Sequence, residues 1–215
     1  MKILSAEKAD NVGATRCLAL TLAAKNGIPG VVGKESGAAV SIAGAVAICP
    51  LTDLTYDFKR TKYNSYVTRI WDASSRTGDA IFTDSHGNLL SDQLDRQERI
   101  RAYAGDGDLK QELLSPLWAS SFCGLPPILL LAADEDLSVD DSVDVAVKAK
   151  ADGVEVDLVV WPRMWHDWVM CTEGRDMYGN KPGSAGFKGE HGVFKEATVA
   201  LELVGTYLKR LAERP

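Results

Sequence analysis

Two side chains in this sequence stand where a carboxylate and an imidazole could handle one proton together. Asp134 follows the all-apolar segment ILLLAA (128–133), and His166 follows VEVDLVVW (154–161) after a short Pro162-Arg163-Met164-Trp165 link. If both segments are strands of one parallel sheet, both residues emerge at its carboxyl edge, where functional groups of open α/β sheets collect. The chemistry of such a pair is general base catalysis: the acid orients the imidazole and stabilises its cation. Taken singly, Asp134 reads as a solvated loop acid and His166 as a hydrogen-bonded residue between Trp165 and Trp168. Their order on successive strand-like segments favours the pair. Cys17, Cys49, Cys123 and Cys171 are far apart, with no Cys-x-x-Cys and no His at ligand spacing. They read as small buried thiols in a reducing cytoplasm, with no metal site and no cofactor.

The elements that must position this pair are legible as pattern. KILSA (2–6) is a short apolar run, and a helix is expected from about Val12 to Ala24, closed by Asn26-Gly27-Ile28-Pro29. A Gly-rich connection from Gly30 to Gly44 leads into AVAIC (45–49). Like 128–133, that segment is apolar throughout, as a parallel strand buried on both faces should be. Residues 51–120 are polar and mostly helical or looped, with a turn cluster at 84–88 and helical spacing over 92–104. Val139 to Ala151 reads as an amphipathic helix closed by Gly153, then the strand 154–161, a Gly-rich loop at 171–192 and a final helix from about Val193 to Leu211. Alternating strands and helices predict an α/β fold with an open parallel sheet of about four strands flanked by helices.

With 215 residues, 46% of them hydrophobic, one domain with a substantial core is expected over 1–215. The net charge of −6, without a basic stripe, argues against nucleic acid as a partner. No run of about 18 apolar residues suggests a membrane span, and MKILSAEKAD carries no apolar signal region. A cytoplasmic location is expected. DRQERIR (95–101) reads as an exposed helix face, and the five Trp, at 71, 118, 161, 165 and 168, as core or pocket lining.

From Ala104 to Asp167 the sequence resembles the C-terminal half of the hormone-sensitive-lipase family of α/β-hydrolases, which includes carboxylesterases. The matching pieces are LLSPLWA (113–119), GLPPILLLAADEDLSVDDS (124–142), ADGVEV (151–156) and VVWPRMWHDW (159–168), with CPLTDL (49–54) resembling the segment after the family's sixth strand. The resemblance implies a partial α/β-hydrolase fold, Asp134 as triad acid, His166 as triad base, and a small-molecule ester or other apolar ligand. It also implies a Ser nucleophile in a Gly-Asp-Ser-Ala-Gly elbow between a strand and a helix, in chain order Ser, Asp, His.

That elbow should fall within AEKADNVGATRCLAL (6–20). Aligned on ADNVGA, Asn11 takes the nucleophile position; aligned on the strand, Ala9 does. Neither register supplies Ser, Cys or Thr, and an amide cannot become the attacking alkoxide of acyl transfer. Lys34-Glu35-Ser36-Gly37 lies too near the next strand to precede a helix. Gly33-Lys34 is no phosphate loop, since Ile28 and Glu35 break its pattern. The family's upstream His-Gly-Gly oxyanion motif, its N-terminal strands and its cap have no counterpart here, so the chain is expected to start at the family's fifth strand. An unpaired edge on that strand would favour a homodimer.

Three readings follow from the sequence. The first is an ester hydrolase by descent, catalytically impaired. The second is a non-catalytic binding or interaction protein on the same scaffold. The third is a truncated gene product. The loop 171–192 reads as flexible surface, with His86 and His191 solvated in turns.

Overall fold

A computed structural model describes residues 2–4, 11–28, 42–55, 101–134, 136, 138–164, 168–170 and 195–214. Expectations that fall on Ala9, His166, Cys171, residues 56–100 or the loop 171–192 lie outside these residues. Four strands, β1 (Lys2–Leu4), β2 (Ile42–Ile48), β3 (Ile128–Ala133) and β4 (Val156–Trp161), pair in that order as one parallel sheet. Among the described residues, helices α1 (Asn11–Lys25), α2 (Val139–Ala151) and α3 (Lys195–Ala212) accompany them, and residues 101–104 are helical as well. Short 3-10 turns occupy Pro116–Trp118 and Trp168–Met170.

The strands alternate sides residue by residue, and each side meets its own helices. Ala45, Ala47, Ile128, Leu130 and Val156 point at α1 and α2, against Cys17, Leu18, Leu22, Val145 and Ala149. Val46, Leu129, Leu131 and Ala133 point the other way, against Trp168, Tyr207 and Leu211. The β1–β2 and β3–β4 crossovers thus run over one face while α3 covers the second, as an α/β sandwich with crossovers of one hand requires. Every residue of β3 is buried, which explains its unbroken apolar run: a central parallel strand has no solvent face. A fully buried leucine contributes about 1.5–3 kcal/mol, so the Leu129-Leu130-Leu131 run is a substantial part of what holds this sheet.

Among its described side chains, α1 leaves Arg16, Leu20 and Lys25 exposed and covers most of the rest. Its buried hydroxyls are satisfied: Thr21 donates to Cys17 O at 2.7 Å, and Thr15 donates to Leu51 O. α3 buries Ala197, Ala200, Tyr207 and Leu211 with Val204 and Leu208 beside them, whereas Val199 and Leu201 face solvent. Burial holds the Tyr207 phenol well above its ordinary range, so it stays neutral. Cys17 and Cys49 are buried, as expected. Cys123 is exposed instead, because it sits in the polar turn before β3. Trp168 is fully buried, but Trp118 is 40% exposed and serves a loop rather than the core.

Asp152, at the end of α2, ties three segments together. Its Oδ2 accepts from Phe122 N–H at 2.5 Å and from Ser121 Oγ at 3.1 Å, while Ser121 O accepts from Lys25 Nζ at the end of α1. The Phe122 amide, chiefly, holds the Asp152 carboxyl below the usual carboxylate range; Ser121, Lys148 and Lys25 act in the same sense, and partial desolvation opposes them. A lowered folded-state value means the stabilisation is present above the ordinary range near pH 4 and is lost as pH falls through the folded value. Urea midpoints of the wild type and Asp152→Asn should therefore differ at neutral pH and converge in acid. A gap independent of pH would refute the assignment.

Candidate functional site

The carboxyl ends of β2, β3 and β4 lead into Cys49, Asp134 and the Pro162-Arg163 turn. At the end of β3 the chain makes a reciprocal pair of bonds with the end of β4. Asp134 N–H donates to Trp161 O at 3.0 Å, continuing the ladder, and Asp134 Oδ1 accepts from Arg163 N–H at 2.5 Å. Arg163 reaches that bond with φ +58°, in the left-handed region that costs a non-glycine residue about 1 kcal/mol. A hydrogen bond to a charged acceptor contributes about 1.5–3 kcal/mol, enough to offset the strain. Asp134 is half-buried, and its Oδ2 has no partner among the described residues. One oxygen fixes the carboxylate; the other is left for a second donor.

The neighbouring acid behaves differently. Asp136 is buried and accepts from the N–H and the Oγ–H of Ser138 at 2.9 Å each, which turns the chain into α2. Downstream of Arg163, Met164 and Trp168 are buried, and the Trp161 and Trp168 rings lie 5.6 Å apart at 42°. His166 falls between Met164 and Trp168 in sequence and lies outside the described residues. Asn11 is the first residue of α1. That helix follows β1, so its N-terminus belongs to the same carboxyl edge as Asp134.

Sequence reasoning missed the group that braces this edge. The segment after β2 leaves its strand through Cys49, at φ +45°, whose N–H donates to Leu131 O at 2.8 Å. Three elements then grip it. Thr15 of α1 donates to Leu51 O, and Asp141 of α2 accepts on Oδ2 from Thr52 N–H at 2.5 Å and Asp53 N–H at 2.9 Å. Ser115 Oγ accepts from Leu54 N–H at 2.8 Å, and Leu117 N–H donates to Thr52 O at 3.1 Å. Asp53 completes the brace, its Oδ1 accepting from Thr55 N–H and Oγ1 and from Trp118 Nε1 at 2.9 Å. The available signal was CPLTDL itself, whose Thr and Asp follow a buried strand without any solvated role to perform.

Among the described residues no cluster of His, Cys, Asp and Glu could hold a metal ion, and no helix is long and apolar enough to cross a membrane.

A family model described as alpha/beta hydrolase fold matches residues 10–170. A search of curated proteins returned no match. Among solved structures, an esterase/lipase from an uncultured bacterium aligns at 24% identity with a TM-score of 0.60, covering 94% of this chain and 51% of that one. A hormone-sensitive lipase from a metagenome library aligns at 22% identity and 0.58, covering 94% and 51%. An esterase of Pyrobaculum calidifontis aligns at 16% identity and 0.57, covering 95% and 52%. The chain spans about half the length of the structures it matches, and at these identities the likeness is one of fold.

Proposed function

The chain belongs to the α/β-hydrolase fold family, and from that premise we propose that it derives from carboxylic ester hydrolases, with Asp134 as triad acid, His166 as triad base and Asn11 where the nucleophile would stand. The observation that carries this reading is Asp134 itself: the first residue past β3, held through Oδ1 by the Arg163 amide, with Oδ2 left for an imidazole donor. Asp134 immediately follows an ILLLAA strand and the WPRM turn leads to His166, the order and placement the triad logic requires.

In this reading the site binds esters without turning them over. Removing the nucleophile of a serine hydrolase leaves only about 10³–10⁴-fold acceleration from binding and the oxyanion hole. Losing one oxyanion donor costs a further factor of about 10²–10³. Where both are missing, at most about a 10²-fold acceleration is left.

The experiment is short-chain ester hydrolysis and fluorophosphonate labelling of the purified protein. The expected result is no labelling and a rate within about 10²-fold of that in buffer. Labelling of any serine, abolished by His166→Ala, would overturn the impairment. Asn11→Ser tests the register: labelling that appears at Ser in that variant and disappears again with Asp134→Asn would establish the acid and the elbow together.

A further inference from the structure

The chain's only Asn-Gly pair, Asn26-Gly27, closes α1 far from the carboxyl edge. Gly27 N–H donates to Ala24 O at 3.2 Å and Ile28 N–H to Ala23 O at 3.0 Å, with Gly27 at φ +64°. This is the Schellman closure of a helix around a left-handed glycine. Asn26 and Gly27 are both exposed, and nothing lies within 4 Å of the place a Cβ on Gly27 would occupy. The Asn26 side chain has one structural duty: its Nδ2 donates to Glu112 Oε1 at 2.7 Å, across 86 residues of sequence.

We propose that Asn26 is a deamidation site whose conversion severs this tether. The deprotonated amide nitrogen of Gly27 attacks Asn26 Cγ, forming a C–N bond. The Cγ–Nδ2 bond breaks, and the side-chain nitrogen takes up protons and leaves as ammonia. Water then opens the five-membered imide at either carbonyl, delivering hydroxyl to carbon and a proton to nitrogen. The products are aspartate or isoaspartate at position 26, and the sum is one water consumed and one ammonia released.

The surroundings permit each step. The attacking nitrogen belongs to a residue without a side chain, and its hydrogen bond lies at the long end of the range. That bond sits in the terminal turn, where helices fray. Solvent reaches both residues. The product puts a carboxylate against Glu112 where an amide donor stood, so an attraction becomes a like-charge contact. The end of α1 then loses its tie to the 108–114 turns, while Lys25 Nζ still donates to Ser121 O at 2.7 Å.

The test is incubation of the folded protein in mildly alkaline buffer. Peptide mapping would score the amide-to-acid mass change at residue 26, and an isoaspartyl methyltransferase would score the isomer. Conversion at Asn26 is expected, slowed about tenfold in Gly27→Ala, where a side chain shields the nitrogen. The consequence is read separately by hydrogen exchange. Asn26→Asp should lower protection of the Gly27 and Ile28 amides, and adding Glu112→Gln, which restores a donor to the carboxylate, should recover it. An intact Asn26 in the folded protein, while the urea-unfolded chain converts in the same buffer, would overturn the proposal. So would equal rates in wild type and Gly27→Ala. Unchanged exchange in Asn26→Asp would overturn the tether.

Discussion

Gly44→Ala is expected to destabilise the protein by about 1–3 kcal/mol, the range for overpacking a filled core, although alanine is ordinarily the better strand residue. Gly44 lies on the α3 side of β2, and a Cβ there would come within 2.3 Å of Leu211 Cδ1 and 3.2 Å of Pro127 O. The carbonyl belongs to the backbone that feeds β3 and cannot retreat without disturbing the sheet. Leu211 is 1% exposed and packed with Val46, Leu129 and Tyr207, so its side chain can yield only by displacing buried neighbours. Leu211→Ala alone should cost about 2–5 kcal/mol as a cavity mutation. In the double variant the new methyl occupies part of the space the leucine vacates, and the combined cost should fall short of the sum by about 1 kcal/mol or more. Urea denaturation of the four proteins measures the cycle. Additive costs would show that α3 does not seat its last turn on Gly44.

Gly44 also shows why β2 was read imperfectly from sequence. The apolar run 45–49 suggested a strand there, yet the strand runs Ile42–Ile48. Its start passes through glycine because the neighbouring helix needs the room, and its end falls one residue early because Cys49 turns to positive φ. Both causes lie in tertiary packing, invisible to local pattern. β3 and α2, by contrast, occupy the expected spans. A strand buried on both faces leaves an unbroken apolar signature, and α2 carries a punctuating Gly153 at φ +79°. Gly153 N–H donates to Lys150 O and Val154 N–H to Ala149 O, the same closure that ends α1.

The site divides along the same line. The place of Asp134 at the carboxyl edge was legible because it depends on local facts, a buried strand followed at once by an acid. The donor that fixes it is a backbone amide, Arg163 N–H, which no side-chain pattern announces. The Thr15, Asp53 and Asp141 brace was illegible for a related reason. Asp141 lies 89 residues from Thr52, and in sequence it is one more acid in the first turn of a helix, where acids are common for their effect on the helix dipole.

That brace sets up the second large effect. Asp141→Ala should cost about 2–5 kcal/mol, because it strands two amides at once: Thr52 is fully buried and Asp53 is 3% exposed, and each unsatisfied buried donor costs about 1–3 kcal/mol. Asp141→Asn keeps an oxygen in place while surrendering the charge, and charge-assisted bonds are roughly twice as strong as neutral ones. It should recover about half of the loss. Losing a helix-dipole contact alone would cost only about 0.3–1 kcal/mol, so magnitude separates the two roles of this carboxylate. Location separates them again. If the amides of Thr52 and Asp53 are the carboxylate's true partners, their hydrogen exchange should accelerate in Asp141→Ala well beyond the change in global stability, with Thr55 and Trp118 Nε1 following through Asp53. Exchange at α3, on the opposite face of the sheet, should rise only by the global amount. A loss below about 1 kcal/mol, or acceleration spread evenly over both faces, would leave the end of β2 without the anchor assigned to it. In that case the positions of Asn11 and Asp134 at the carboxyl edge would rest on the sheet ladder alone.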